Sequence, residues 1–191
     1  MGGGETPSKT NALEYINIQS MGTAKDFGDF TITSGDVKGL GSSTRGVFRV
    51  DNAPSLLNTL EFITFANTGN ATDFGDLVIA VQQRPGASNQ TRGIFSGGLY
   101  PGSTVHNDMD YITIASTGNA TDFGDALLAR GGAASVSNSI RGLFAGGYSP
   151  SKINGIEFIN IATTGNGADF GDMTFVSQYG GGCSDSHGGI S

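Results

Sequence analysis

Residues 140–172 read IRGLFAGGYSPSKINGIEFINIATTGNGADFGD, one full copy of a pattern that the chain repeats. Its closing tetrapeptide, DFGD, starts at Asp26, Asp73, Asp122 and Asp169, at intervals of 47, 49 and 47 residues. Upstream lie LEYINI, LEFITF, MDYITI and IEFINI, with Asn11, Asn58, Asn107 and Asn154 three residues before the acids Glu14, Glu61, Asp110 and Glu157. A third element, TRGVF, TRGIF or IRGLF, starts at Thr44, Thr91 and Ile140. Periods of this length are the sequence signature of propellers and solenoids. The two ends continue the pattern: SHGGIS followed by MGGGETPSKTNALEYINI makes a fourth junction. The same alignment absorbs MGGGET, which formally fits a myristoylation signal, by setting it against AGGYS of the internal copy.

Within each copy, short stretches alternate apolar and polar residues, as half-buried strands do. GGAASVSN from Gly131, RGLFAGG from Arg141, IEFINIA from Ile156 and the residues after DFGD, such as Met173 to Val176, give four strands. The TGN segments (68–70, 117–119, 164–166) are turn chemistry, because Gly and Asn accept positive φ. Four short strands per repeat describe a propeller blade. The expected fold is therefore an all-β propeller of four blades, each of four antiparallel strands, in one domain over 1–191. The units fall near 1–46, 47–95, 96–144 and 145–191, and the ring closes between 187–191 and 1–4.

Composition agrees. Glycine accounts for 32 of 191 residues and charged residues for only 14%. Glycine costs roughly 1 kcal/mol per helix position relative to alanine, which disfavours a helical bundle. A chain of this size buries roughly 70% of its unfolded surface and needs no cross-links. The net charge of −7 offers no basic stripe for nucleic acid. One cysteine, Cys183, excludes an internal disulfide. No secretory leader and no apolar run long enough for a membrane helix is present, so a cytoplasmic site of synthesis is expected.

These residues resemble kelch repeats. A kelch blade carries a double glycine ending its second strand, an aromatic on the third and a large aromatic opening the fourth. Gly146-Gly147, Phe158 and Phe170 match that order, as do Gly97-Gly98, Tyr111 and Phe123, and Gly3-Gly4, Tyr15 and Phe27. Arg130, Arg84 and Lys38 are set against the basic residue before the first kelch strand. The departures are Phe in place of Trp, and Val50-Asp51 where the second copy should have two glycines. Runs of the TGNATDFGD…RGLF type also resemble tandem-repeat proteins of marine bacteriophages, including cyanophages. That likeness implies a virion or tail-associated structural protein, assembled in the host cytoplasm.

The repeated residues read as structural. Phe27, Phe74, Phe123 and Phe170 are expected to fill the spaces between blades. Asp26, Asp73, Asp122 and Asp169 are expected to cap backbone amides in a glycine turn; the competing reading is calcium binding by clustered carboxylates. Arg45, Arg92 and Arg141 are expected to pair with Glu14, Glu61, Asp110 and Glu157, with an anion-binding ring as the alternative and His187 in the fourth Arg position. Two histidines and one cysteine without ligand spacing point to no metal, and no nucleophile or phosphate motif points to a reaction or a cofactor.

Specific contacts are expected where the symmetry breaks. The loop over 49–57 carries Arg49, Asp51, Leu56 and Leu57; its counterpart over 99–107, in a connection two residues longer between RGIF and Asn107, carries Tyr100 and His106; Tyr148 lies in the third. A shared apolar or aromatic rim there would contact a protein. The leading function is a non-enzymatic interaction propeller in a phage particle, on capsid, tail or fibre, as a four-blade monomer or an end-swapped dimer. The alternative is a lectin-like propeller binding a host glycan, with four equivalent sites giving avidity.

Overall fold

The computed structural model describes residues 1–5, 7–51 and 56–184. Among these there are fourteen strands and no helix. The first hairpin pairs β1 (Thr10–Tyr15) with β2 (Lys25–Ser34). Three four-stranded antiparallel sheets follow. They are β3 (Lys38–Gly41), β4 (Arg45–Arg49), β5 (Thr59–Thr64) and β6 (Thr72–Asp76); β7 (Gly86–Ser88), β8 (Arg92–Leu99), β9 (Val105–Thr113) and β10 (Thr121–Asp125); and β11 (Ala134–Ser137), β12 (Arg141–Ala145), β13 (Ile153–Asn160) and β14 (Ala168–Ser177). Each sheet is a meander in chain order. Residues 1–3 extend the first hairpin: Gly2 bridges Leu13, and Gly3 N donates to Ala12 O at 3.0 Å. The C-terminal segment that would close a ring, including His187, lies outside the described residues.

DFGD is not a turn. It runs along the outer strand of each sheet, and its register shifts at the glycine, as between Leu60 and Glu61 on the facing strand. Gly124 there has φ +130°, and a Cβ on it would meet Gly165 O at 2.6 Å. The bulge is what lets a neighbouring turn lie against the strand.

The core is three clusters, one between each pair of consecutive sheets. Phe27, Phe30, Val50, Ile63 and Ala71 join the hairpin to β3–β6. Val47, Phe74, Ile112 and Ile114 join β3–β6 to β7–β10. Ile94, Phe123, Phe144, Ile159 and Ile161 join β7–β10 to β11–β14. The first strands of successive four-stranded sheets are neighbours through serine: Ser88 Oγ donates to Gly41 O at 2.9 Å, Ser137 Oγ to Ser88 O at 2.8 Å, and Ser184 makes a parallel bridge to Ser137. A concave groove of ≈ 220 Å³ runs past Leu40, Ala87, Val136 and Cys183, one residue from each of these segments.

Candidate functional site

The recurring polar residues build one interface between consecutive repeats, made three times. Phe27, Phe74 and Phe123 each accept at the backbone O from the N–H of Gly69, Gly118 and Gly165, all at 2.7 Å. The N–H of Asp29, Asp76 and Asp125 donates to the Oδ1 of Asn70, Asn119 and Asn166 at 3.1, 3.1 and 3.0 Å. The asparagine of the TGN turn thus caps the DFGD strand of the preceding repeat. The expected direction, aspartate side chains capping a turn, is reversed. Asp26, Asp73, Asp122 and Asp169 are exposed, and among the described residues no group of His, Cys, Asp and Glu is placed to hold a metal.

The acids on the third strands reach back to the preceding repeat as well. Glu61 accepts from Thr31 N at 2.9 Å and from Thr31 Oγ1, Asp110 from Val78 N at 3.1 Å, and Glu157 from Leu127 N at 2.7 Å. Their partners are not the repeated arginines. Arg84 Nη1 meets Asp110 Oδ2 at 2.8 Å and Arg130 Nη2 meets Glu157 Oε1 at 2.9 Å, with all four side chains buried. Burial pushes the Asp110 carboxyl up and the Arg84 guanidinium down, each opposed by the charge of the other. Lys38, the third member of the expected basic set, sits in β3 and pairs with Asp36 at 3.4 Å.

Arg45, Arg92 and Arg141 instead lie over the rings of Phe62, Tyr111 and Phe158, at 4.7, 4.4 and 4.6 Å from the ring centres. The register explains it. Glu61 faces Phe48, three residues along β4 from Arg45, and an odd offset puts two side chains on opposite faces of a strand. Two of these arginines tie repeats together. Arg45 donates to Ile114 O and Ala115 O at 3.2 and 2.9 Å, and Arg92 to Ile161 O and Ala162 O at 3.2 and 3.0 Å.

The symmetry-breaking residues divide into inside and outside. Arg49 and Asp51 are not on a rim: both are buried. Arg49 Nη2 meets Asp36 Oδ2 at 2.8 Å and Arg49 Nη1 meets Asp51 Oδ2 at 3.3 Å. Ser34 Oγ donates to Asp51 O at 2.6 Å, locking the position that carries glycine in the other repeats. Burial raises the Asp51 carboxyl's pKa despite the facing arginine. Leu56 and Leu57 are half-buried. Tyr100 and His106 are half-buried too and pack edge to face at 4.8 Å, with His106 Nδ1 3.1 Å from Asp108 Oδ2. Tyr148 is tied by backbone bonds to Gly131. Among the described contacts, none joins these loops into one patch.

A cavity of ≈ 290 Å³ gathers residues from several repeats, among them Glu5, Lys9, Asp36, Asp51, Gln83 and Tyr179. Asp51 Oδ1 and Gln83 Oε1 are buried there without a hydrogen-bond partner among the described residues. Such acceptors suit a hydroxyl or ammonium donor. Sequence reasoning placed Asp51 near this point but as a surface residue, and had no signal for Gln83 or Tyr179.

No family model matches this chain, and no curated protein does.

Proposed function

We propose that the repeats are blades of a β-propeller, and that this propeller is a non-enzymatic protein-interaction part of a bacteriophage particle. The observation that carries the non-enzymatic reading is where the repeated groups go. The third-strand acids Glu61, Asp110 and Glu157, the asparagines Asn70, Asn119 and Asn166, the arginines Arg45 and Arg92, and the phenylalanines Phe27, Phe74 and Phe123 are taken up by contacts between repeats, and the exposed first aspartates of DFGD form no cluster among the described residues. What stays outside are the unequal loops with Leu56, Leu57, Tyr100, His106 and Tyr148, the kind of residues that give a scaffold one specific partner. The kelch-like order of glycines and aromatics supports the propeller, and the likeness to phage tandem repeats supports the particle. Density-gradient fractionation of the native source, followed by peptide mass spectrometry, tests this. Co-sedimentation with particles at fixed stoichiometry is expected; recovery only in the soluble fraction refutes the particle role.

A second reading, glycan binding, is favoured by the cavity at Asp51, Gln83 and Tyr179. Its polar acceptors beside an aromatic ring fit a sugar's hydroxyls and apolar face. Binding on a glycan array that disappears in Tyr179→Ala would favour it over the particle role.

A further inference from the structure

The interface made three times between repeats has a fourth set of parts that is left unmade. On the last sheet, Phe170 is 52% exposed, where Phe74 and Phe123 are 1% and 2%. Val136, on the opposite edge strand of the same sheet, is 41% exposed, where its counterpart Ala87 is 3%. Arg141 lies over Phe158 like its counterparts, yet is itself exposed. Gly171 has the strand-bulge φ of +132°, but no atom lies within 4 Å of where its Cβ would be.

On the first hairpin stand the complementary parts. Ile16 and Ile18 are 52% and 92% exposed, where Ile159 and Ile161 are 2% and 0%. Glu14 is exposed, where Glu61, Asp110 and Glu157 are buried. Among the described residues the first sheet further has no counterpart of β3, β7 and β11, while residues 182–184 lie beside β11, with Ser184 bridged to Ser137 as Ser137 is bonded to Ser88.

We propose that these two faces join head to tail between two copies of this chain. The end of one copy would receive the first hairpin of the other. Phe170 would pack on Ile16 and Ile18, Arg141 would reach the carbonyls after Ile18, Glu14 would accept from Thr174 N–H, and residues 182–184 would supply the missing strand. A second copy is the occupant because each face is a chemical copy of a surface already covered inside the chain, and because the chain's own fold leaves Phe170, Ile16 and Ile18 exposed. The contact is heterologous, and two copies close it by making it twice. One position differs: Thr23 stands where Asn70, Asn119 and Asn166 cap the facing strand, which weakens this junction relative to the internal ones. The inference rests on the repeat array of the proposed propeller and not on its place in a particle.

The test is sedimentation of the full chain over a range of concentrations, with three variants. The unaltered chain is expected to reach the mass of two 19.5 kDa copies. Phe170→Asp and Ile18→Asp are each expected to stay at one copy and to stay folded in dilute solution, losing no more than about 2–4 °C of melting temperature, since Phe170 is half exposed and Ile18 almost fully exposed in a single copy. Mixed together, they are expected to pair, because one good junction remains. A chain that sediments as one copy at every concentration overturns the proposal. So does Ile18→Cys/Phe170→Cys, in a Cys183→Ser background, if it cross-links only to itself. Loss of particle co-sedimentation would leave these results untouched, and the two proposals therefore fail separately.

Discussion

Replacing Phe123 and Phe170 by alanine, one at a time, removes the same side chain from the same motif in two settings. Phe123 is 2% exposed within a cluster with Ile94, Phe144, Ile159 and Ile161. Truncating such a phenylalanine costs about 3–5 kcal/mol, the transfer term plus the cavity left behind. A chain of this size loses about 2–4 °C of melting temperature per kcal/mol, so Phe123→Ala should melt roughly 6–20 °C lower. Phe170 is 52% exposed and leaves no closed cavity. Full burial of a large apolar side chain contributes about 1.5–3 kcal/mol, and half of that gives roughly 1 kcal/mol and a drop of about 2–4 °C. The assay is thermal melting by circular dichroism, at a dilution where the chain is a single copy. Equal shifts for the two variants would refute the reasoning, because they would mean that the fourth set of parts is covered within one chain.

The bulge glycines offer a second such comparison. Gly124→Ala should destabilise strongly, as its Cβ meets Gly165 O at 2.6 Å, whereas Gly171→Ala, with an open site, should show only the strain of its φ; urea unfolding separates the two. Glu157→Gln leaves the guanidinium of Arg130 buried without its counter-charge and should cost about 3–5 kcal/mol by the same unfolding assay; a loss near zero would mean that the pair is solvated. Burial raises the pKa of Asp51 and Asp110, so the native chain holds these protons to higher pH than the unfolded chain does. Stability from these two groups is thus greatest below the ordinary Asp value of about 3.9 and falls as pH rises above it, through their folded pKa values. Carboxyl-carbon NMR titration should place both midpoints above that of a free Asp, and midpoints at or below it would contradict the burial.

Much of this fold is legible in the sequence, since a repeat states its own strand order four times over. GGAASVSN and RGLFAGG contain β11 and β12, and IEFINIA holds the second part of β13, which begins earlier at Ile153. What the pattern hid is which neighbour each side chain serves. A positive-φ glycine in DFGD reads as a turn, and only the facing TGN segment shows that it is a bulge making room for another chain segment. Arg45 and Glu61 recur together because both serve the joint between repeats, but the strand parity that separates them is fixed by register, which composition does not reveal. The true partners of Asp110 and Glu157 could not be found by periodicity at all. Arg84 lies eight residues after its DFGD and Arg130 five, so two unequal positions do the same electrostatic work. Arg49 and Asp51 read as contact residues of a divergent loop, because Val50-Asp51 stand where the other copies carry two glycines; they are a buried ion pair instead.

One hydrogen-bonded joint links consecutive repeats and is idle at the chain's two ends. Native-state amide exchange on the Phe170→Asp chain, which that substitution should keep as a single copy, tests it most directly. The account predicts that the N–H groups of Gly69, Gly118 and Gly165, each bonded at 2.7 Å to the preceding repeat, exchange as slowly as the core strands, while Gly22 exchanges at the rate of an open turn. Fast exchange at all four glycines would contradict it.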